Sequence, residues 1–235
     1  MIVAIVPALD EEGSIASVVR GVAPHVDVVV VVDNGSRDGT ARRAEEAGAR
    51  VVHQPERGYG AACLAGIAEA RAISATVALF LDADGSDDPS EAPRLLAPVR
   101  EGVADLALGV REGDAIEPGA MTDAQRFGNW LAPALMRALF RAPYHDLPPF
   151  KAIRFDALES LELEDRAHGF TIELMLKAHA RGLRTLEVAV RCRARRAGAS
   201  KVSGTLVGSL RAGTKIIASI GRHALVGSRA AARRR

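Results

Sequence analysis

Residues 28–32 are five consecutive valines, and they run straight into Asp33-Asn-Gly-Ser-Arg-Asp-Gly-Thr40. An unbroken β-branched run of this length suits a strand covered on both faces, and the acids and glycines behind it form the turn that ends it. Such a strand belongs inside a parallel sheet, whose strands must be joined by crossovers. The flanking sequence supplies them. Residues 2–6 read as a first strand, followed by the acidic loop Pro7-Ala-Leu-Asp-Glu-Glu and a helix over 14–22. A helix to about residue 47, a short third strand at 51–52, a helix from Gly58-Tyr-Gly60 to about 73 and a fourth strand from 77 repeat the pattern. Strand and helix alternating at this spacing predict right-handed βαβ units, hence an α/β, Rossmann-like, mostly parallel sheet with helices on both faces.

The fourth strand carries the chemistry. Residues 77–89, VALFLDADGSDDP, are an apolar run that breaks off into Asp82, Asp84, Asp87 and Asp88. The carboxyl ends of parallel strands are where such sheets bind ligands. Asp82 and Asp84 share a face if the strand continues, and two carboxylates at a buried strand end repel unless a cation lies between them. The pair therefore predicts a site for Mg2+ or Mn2+, both of which take oxygen ligands. The alternative is an acidic loop that caps the next helix. Asp88 before Pro89 has that character in either case, as N-cap and first helical residue.

Further along, residues 104–109 and 150–155 read as strands, 170–180 as a helix and 183–190 as a strand. A charged, glycine-rich loop over 111–122 is able to close over a ligand. The period of residues 123–141 predicts a helix with Trp130, Leu131, Leu135 and Leu139 turned to the core. Residues 205–226 are expected to form a C-terminal amphipathic helix with Leu206, Leu210, Gly213, Ile217, Ile220 and Ala224 on one stripe and Arg211, Lys215 and Arg222 on the other side. That stripe serves either core packing or docking on anionic headgroups. The chain of 235 residues, 48% hydrophobic, is expected to form a single domain over 1–226, followed by a disordered basic tail over 227–235.

Charge is divided along the chain. From residue 181 onward 14 Lys and Arg face the single acid Glu187, whereas residues 1–180 carry 17 basic against 28 acidic residues. The acidic part suits a metal and the basic part an anion. Nucleic acid is not an expected partner, because aromatics are only 4% and no stacking platform or helix-turn-helix pattern is present. Cys63 and Cys192 lack metal-ligand spacing and read as reduced thiols. No apolar run is long enough to span a bilayer, and the start lacks a signal-peptide pattern. The expected location is the cytoplasm, with peripheral contact at the inner face of the cell membrane. No feature points to a particular oligomeric state.

No G-x-G-x-x-G follows the first strand and no G-x-x-x-x-G-K-[ST] occurs, which disfavours dinucleotide oxidoreductases and P-loop enzymes. The blocks Pro7-Ala-Leu-Asp-Glu-Glu, Val31-Val-Asp-Asn-Gly-Ser-Arg-Asp-Gly-Thr40, Arg57-Gly-Tyr-Gly-Ala-Ala62 and Leu81-Asp-Ala-Asp84 resemble family 2 glycosyltransferases of the GT-A fold. Within that family Asp146-Leu-Pro-Pro-Phe-Lys-Ala-Ile-Arg154 and Arg196-Ala-Gly-Ala-Ser-Lys-Val-Ser-Gly-Thr205 are similar to the dolichyl- or polyprenyl-phosphate sugar synthases. Asp10, Ser86 and Lys151 depart from the usual Asn, Gln and Arg. The resemblance implies that Pro7, Ala8 and Glu11 line a base pocket, that Asp33 contacts base or ribose, and that Asp38 supports that loop. It also implies that Asp82 and Asp84 form the Asp-x-Asp motif, with Asp84 the direct ligand of an Mg2+ or Mn2+ ion that bridges the diphosphate of a UDP- or GDP-sugar. Arg111, Arg126, Arg196, Ser200 and Lys201 fall where the family gathers positive charge around donor diphosphate and acceptor phosphate.

The implied reaction is inverting transfer to a lipid-phosphate acceptor, whose oxygen is already ionised near neutrality and needs no base. A soluble alcohol would need one, for which Glu173 is the first candidate and Asp146 the second. Glu173 also suits a helix N-terminus, and Arg126 a helix-surface ion pair. Two rivals stand beside this reading. Leu79-Phe-Leu-Asp82-Ala-Asp84-Gly resembles the aspartyl-phosphate motif of haloacid dehalogenase-type phosphatases, with Asp82 as nucleophile. The other rival is a non-catalytic nucleotide-sugar binding module.

Overall fold

The computed structural model describes residues 1–111, 113 and 116–195. The helix expected over 205–226 and the tail over 227–235 lie outside the described residues. Seven strands form one sheet: β1 Ile2–Ala8, β2 Val28–Asp33, β3 Arg50–His53, β4 Val77–Phe80, β5 Leu106–Val110, β6 Lys151–Arg154 and β7 Thr185–Ala189, in the order β3-β2-β1-β4-β6-β5-β7. The helices are α1 Ile15–Val22, α2 Thr40–Glu46, α3 Tyr59–Ala72, α4 Ala92–Arg100, α5 Asp123–Phe140, α6 Phe155–Ser160 and α7 Phe170–Ala180. β1 pairs in parallel with β2 on one side and β4 on the other, and β2 pairs in parallel with β3. The chain therefore leaves β1, builds outward to β3, and returns to the far side of β1 as β4. That reversal opens a crevice at the carboxyl ends of β1 and β4.

β6 is the one strand in the sheet that runs against the others, antiparallel to both β4 and β5. β5 and β7 are parallel to each other. Val29 to Val32 are all buried, as a strand covered on both faces requires. Two apolar layers result. One joins α1, α2 and α4 to the sheet through Ile15, Val18, Ala44 and Leu95, and the other joins α3, α5, α6 and α7 through Ile67, Met136, Leu158 and Phe170. Gly66 lets α3 lie close on the sheet, since a Cβ there would stand 2.4 Å from Ile5 Cγ2 and 3.2 Å from Val32 Cγ2.

The 3.6-residue period located α5 correctly, and its start is fixed by a capping box between Thr122 and Gln125. Its inner face is corrected by the structure at Trp130 and Leu139, whereas Leu135 packs against the core as expected. Ala132 and Met136 are buried, whereas Trp130 is 62%, Phe127 59% and Leu139 57% exposed. Phe127 and Trp130 contact each other on the outside, with ring centroids 5.9 Å apart. Periodicity identifies a helix with an apolar side but does not say whether that side meets the sheet.

Candidate active site

A cleft of about 370 Å³ lies at the carboxyl ends of β1 and β4 and is lined by, among others, Pro7, Ala8, Glu11, Asn34, Asp82, Asp84 and Arg195. β1 delivers Pro7 and Ala8. The loop behind it is fastened to the turn after β2. Asp10, with φ of +51° in the left-handed region that Asn and Asp tolerate best, accepts the Arg37 N–H at 2.8 Å and donates its own N–H to Ser36 Oγ at 3.0 Å. Asp38 accepts the N–H groups of Thr40 at 3.0 Å and Glu12 at 3.2 Å, so it holds this loop from outside the cleft. Asp33 is buried at the end of β2, where its carboxylate accepts the Ser36 N–H and meets His53 Nδ1 at 3.4 Å. Asn34 is the residue of that turn that lines the cleft. It donates to the carbonyls of Gln54 and Glu56 at 3.0 and 2.7 Å and accepts the Gly58 N–H at 2.8 Å, fixing the wall that leads into α3.

The opposite wall, residues 163–168, is locked against the start of α3. Gly60 and Ala61 donate to the carbonyls of Ala167 and Arg166 at 3.0 and 2.9 Å, so these donors are already satisfied. A Cβ on Gly60 would stand 2.0 Å from the Asp165 carbonyl oxygen. Gly60→Ala is therefore expected to cost about 1–3 kcal/mol through forced backbone movement. It should lower the unfolding temperature, which thermal melts check, and displace the cleft wall that Ala167 and His168 form. Glu173 braces the same wall from outside the cleft. Its buried carboxylate accepts the N–H groups of Glu164 and Asp165 at 3.0 and 2.7 Å and pairs with Lys177 at 2.8 Å. A carboxylate so engaged is a poor proton acceptor, which corrects its reading as a general base and gives it a positioning role.

The acids at the end of β4 form a tight turn. Asp87, buried, accepts the Asp82 N–H at 2.9 Å, and Asp84 Oδ1 accepts the Ser86 N–H at 2.8 Å. Asp88 caps the short 3-10 turn at Pro89, as its place before proline predicts. Burial, with Asp84 and Asp87 adding repulsion, pushes the Asp82 carboxyl up to about 8; burial likewise lifts Asp87 to about 6. Behind them sits Lys151, fully buried, donating to the carbonyls of Pro148 and Pro149 at 3.0 and 2.9 Å. Burial brings its ammonium down to about 8, while its charge favours the ionised form of Asp82.

Crowded carboxylates facing a cleft are what a cation relieves, so the residues fit a divalent ion. No group of three or more His, Cys, Asp or Glu among the described residues is placed to hold one. The donor set therefore suits an ion that takes one or two carboxylates and completes its shell with water and phosphate, the habit of Mg2+.

Past β7 the chain runs back along this turn. Arg193 N–H donates to the Ser86 carbonyl at 2.8 Å, and Cys192 bridges to Asp87. Alternate residues then meet acids: Arg191 meets Glu91 at 3.1 Å, Arg193 meets Asp88, and Arg195 meets Asp84 Oδ2 at 2.8 Å and Glu11 Oε1 at 2.7 Å. These three arginines were missed by sequence reasoning. The period-2 spacing in Arg191-Cys-Arg-Ala-Arg195 was the available signal, since it puts the three cations on one side of an extended segment.

The remaining predicted residues are dispersed. Arg111 is largely buried and outside the cleft, paired with Asp146 through Nε at 2.8 Å and a terminal nitrogen at 2.9 Å, so Asp146 is a structural counter-ion and not a base. Arg126 is exposed on α5. Arg196, Ser200 and Lys201 lie outside the described residues.

A model of glycosyl transferase family 2 matches residues 3–162. An uncharacterized glycosyltransferase of Mycobacterium bovis is 37% identical over 206 residues, 88% of this chain and 91% of that relative. An undecaprenyl-phosphate mannosyltransferase of Micrococcus luteus is 32% identical over 202 residues, 80% of this chain and 81% of the relative. Among solved structures, glucosyl-3-phosphoglycerate synthase of Mycobacterium tuberculosis, in complex with Mn2+, uridine diphosphate and glucosyl-3-phosphoglycerate, superposes with a TM-score of 0.75 at 26% identity, covering 94% of this chain and 78% of that one.

Proposed function

Because the chain belongs to glycosyl transferase family 2, we propose that it transfers a hexosyl unit, with inversion, from a UDP- or GDP-sugar to a polyprenyl-phosphate acceptor, using Mg2+ or Mn2+ at Asp82 and Asp84. The observation that carries the reading is the convergence of Asp82, Asp84, Glu11 and Arg195 on one cleft at the carboxyl edge of the sheet. The phosphatase reading of the Asp82 motif falls, since the family match runs through it and through the three strand-helix units before it.

In this reading Pro7, Ala8, Glu11 and Asn34 wall the nucleoside end of the cleft, with Asp33 and Asp38 shaping the adjoining turn. When bound, a divalent ion held by Asp82 and Asp84 would supply positive charge to offset the negative charge developing on the leaving diphosphate. Arg195 provides the cationic side; the resemblance assigns Arg196, Ser200 and Lys201, outside the described residues, to the same diphosphate and phosphate contacts. Arg111, held by its pair with Asp146, supports the acidic turn from behind at Asp87, and Arg126 offers a charge for the acceptor phosphate.

Three observations support a lipid-phosphate acceptor. The relative that is 32% identical over four fifths of both chains is named for undecaprenyl phosphate. Glu173, the first candidate base, is engaged elsewhere, and a phosphate oxygen needs no base. Phe127 and Trp130 present an apolar face beside exposed Arg126, which suits peripheral contact at the cytoplasmic side of a membrane. No helix among the described residues is long and apolar enough to cross one. The second reading, a soluble phosphorylated acceptor, is favoured by the phosphoglycerate synthase among the structural neighbours.

Incubation with labelled UDP-glucose or GDP-mannose and Mn2+, with undecaprenyl phosphate in one arm and 3-phosphoglycerate in the other, separates the two. Label extracted into organic solvent in the first arm is the expected result; label confined to the aqueous phase of the second would replace the lipid reading.

The raised pKa of Asp82 gives a pH dependence. A proton must leave this carboxyl when a cation binds, so Mn2+-supported UDP binding should weaken as pH falls below about 8, by up to about tenfold per unit for one proton. Metal-free stability runs the other way. A carboxyl raised in the folded state favours the protonated protein, so its contribution is present at low pH and fades as pH rises through about 8. Thermal melts from pH 5 to 9 with and without Mn2+ should show that decline only in the metal-free series.

A further inference from the structure

The guanidinium of Arg195 spans the mouth of the cleft. One terminal nitrogen lies 2.8 Å from Asp84 Oδ2 and the other 2.7 Å from Glu11 Oε1. Asp84 Oδ1 is meanwhile accepting the Ser86 N–H at 2.8 Å, so Oδ2 is the oxygen turned to a cation, and Arg195 is on it. Charge-assisted contacts of this kind are the strong class of hydrogen bond. The segment carrying Arg195 is anchored close by, through Arg193 on Asp88 and its N–H on the Ser86 carbonyl. The guanidinium is thus held at high effective concentration beside Asp84.

We propose that Arg195 is a tethered competitor of the divalent cation at Asp84, and that a donor diphosphate draws the guanidinium off, so that metal and nucleotide bind cooperatively. The proposal rests on the reading of Asp84 as a metal ligand. Its logic is exchange of partners: a cation on Asp84 Oδ2 must take that oxygen from Arg195, and the guanidinium, still on Glu11 through its other nitrogen, replaces the lost contact only when an anion enters. Metal alone therefore gives up a strong contact without replacement, whereas metal with a diphosphate does not. Each ligand must then raise the affinity of the other by the same factor. Glu11 would keep the freed side chain within the cleft and limit how far it moves.

The test is Mn2+ affinity, read from the electron paramagnetic resonance signal of free Mn2+, with and without UDP, in the wild-type chain, Arg195→Gln and Arg195→Lys. Wild type should bind Mn2+ weakly alone and about tenfold or more tightly with saturating UDP, within the ordinary range of coupling between sites. Arg195→Gln should bind Mn2+ alone about tenfold more tightly than wild type and lose most of the enhancement by UDP. Arg195→Lys, which keeps the charge without the fork, should fall between the two. Equal Mn2+ affinity of wild type and Arg195→Gln without UDP would overturn the proposal while leaving the transferase reading standing. Failure of the wild type to bind Mn2+ with either UDP or GDP would overturn both.

Discussion

Replacing Asp84 by alanine should lower turnover by at least about 10³-fold, roughly 4 kcal/mol of transition-state stabilisation, and remove Mn2+-dependent UDP binding, while the protein stays folded. The first part follows from position: Asp84 is half-buried, faces the cleft, and has one oxygen fixed by the Ser86 N–H and the other on the Arg195 guanidinium. The second part follows from its neighbours. Removing one of three crowded carboxylates relieves repulsion on Asp82 and Asp87, and Arg195 keeps its contact with Glu11. Isothermal titration with Mn2+ and UDP, a turnover assay and a thermal melt on one preparation check all three points. An Asp84→Ala protein that retained metal-supported UDP binding would remove this residue from the donor site.

The largest effect on stability is expected at Asp146. Its carboxylate takes the Arg111 N–H at 3.0 Å, the guanidinium at 2.8 and 2.9 Å, and the Leu147 N–H at 2.7 Å. Alanine would leave the Arg111 charge buried without its counter-ion. Breaking such a pair from one side costs about 3–5 kcal/mol, a fall in melting temperature of roughly 6–20 °C for a domain of this size. Asp146→Asn, which retains an acceptor, should lose less. Replacing both residues by an apolar pair should recover much of the loss, because it removes the stranded charge. A single Asp146→Ala variant with an unchanged melt would mean that water reaches Arg111.

How much of this was readable beforehand differs by element. β1, β2 and β4 follow from apolar runs bounded by turn formers, and the acids at the end of β4 mark the cleft because a buried strand end tolerates them only with a purpose. The direction of β6 was not readable, since strand composition carries no sign of which way the chain runs. Phe127 and Trp130 were misassigned or passed over for a related reason: one helical period is compatible with either face being covered. Arg195 escaped because its partners, Asp84 and Glu11, are 111 and 184 residues away in sequence. Arg111 and Glu173 were found as charged residues of interest, but sequence does not show that a backbone N–H or a counter-ion has already taken their capacity.

The reversed strand β6 has a consequence for how this architecture diversifies. Because it runs against both neighbours, β6 starts on the rim where β4 and β5 end, so the connection from β5 to β6 leaves and returns on that one rim. The loop and helix between β5 and β6 can therefore be lengthened, shortened or repainted while β1 to β4 stay untouched. The rim thus has one half set by the parallel strands β1 to β4 and another that a change of connection reshapes without disturbing the first.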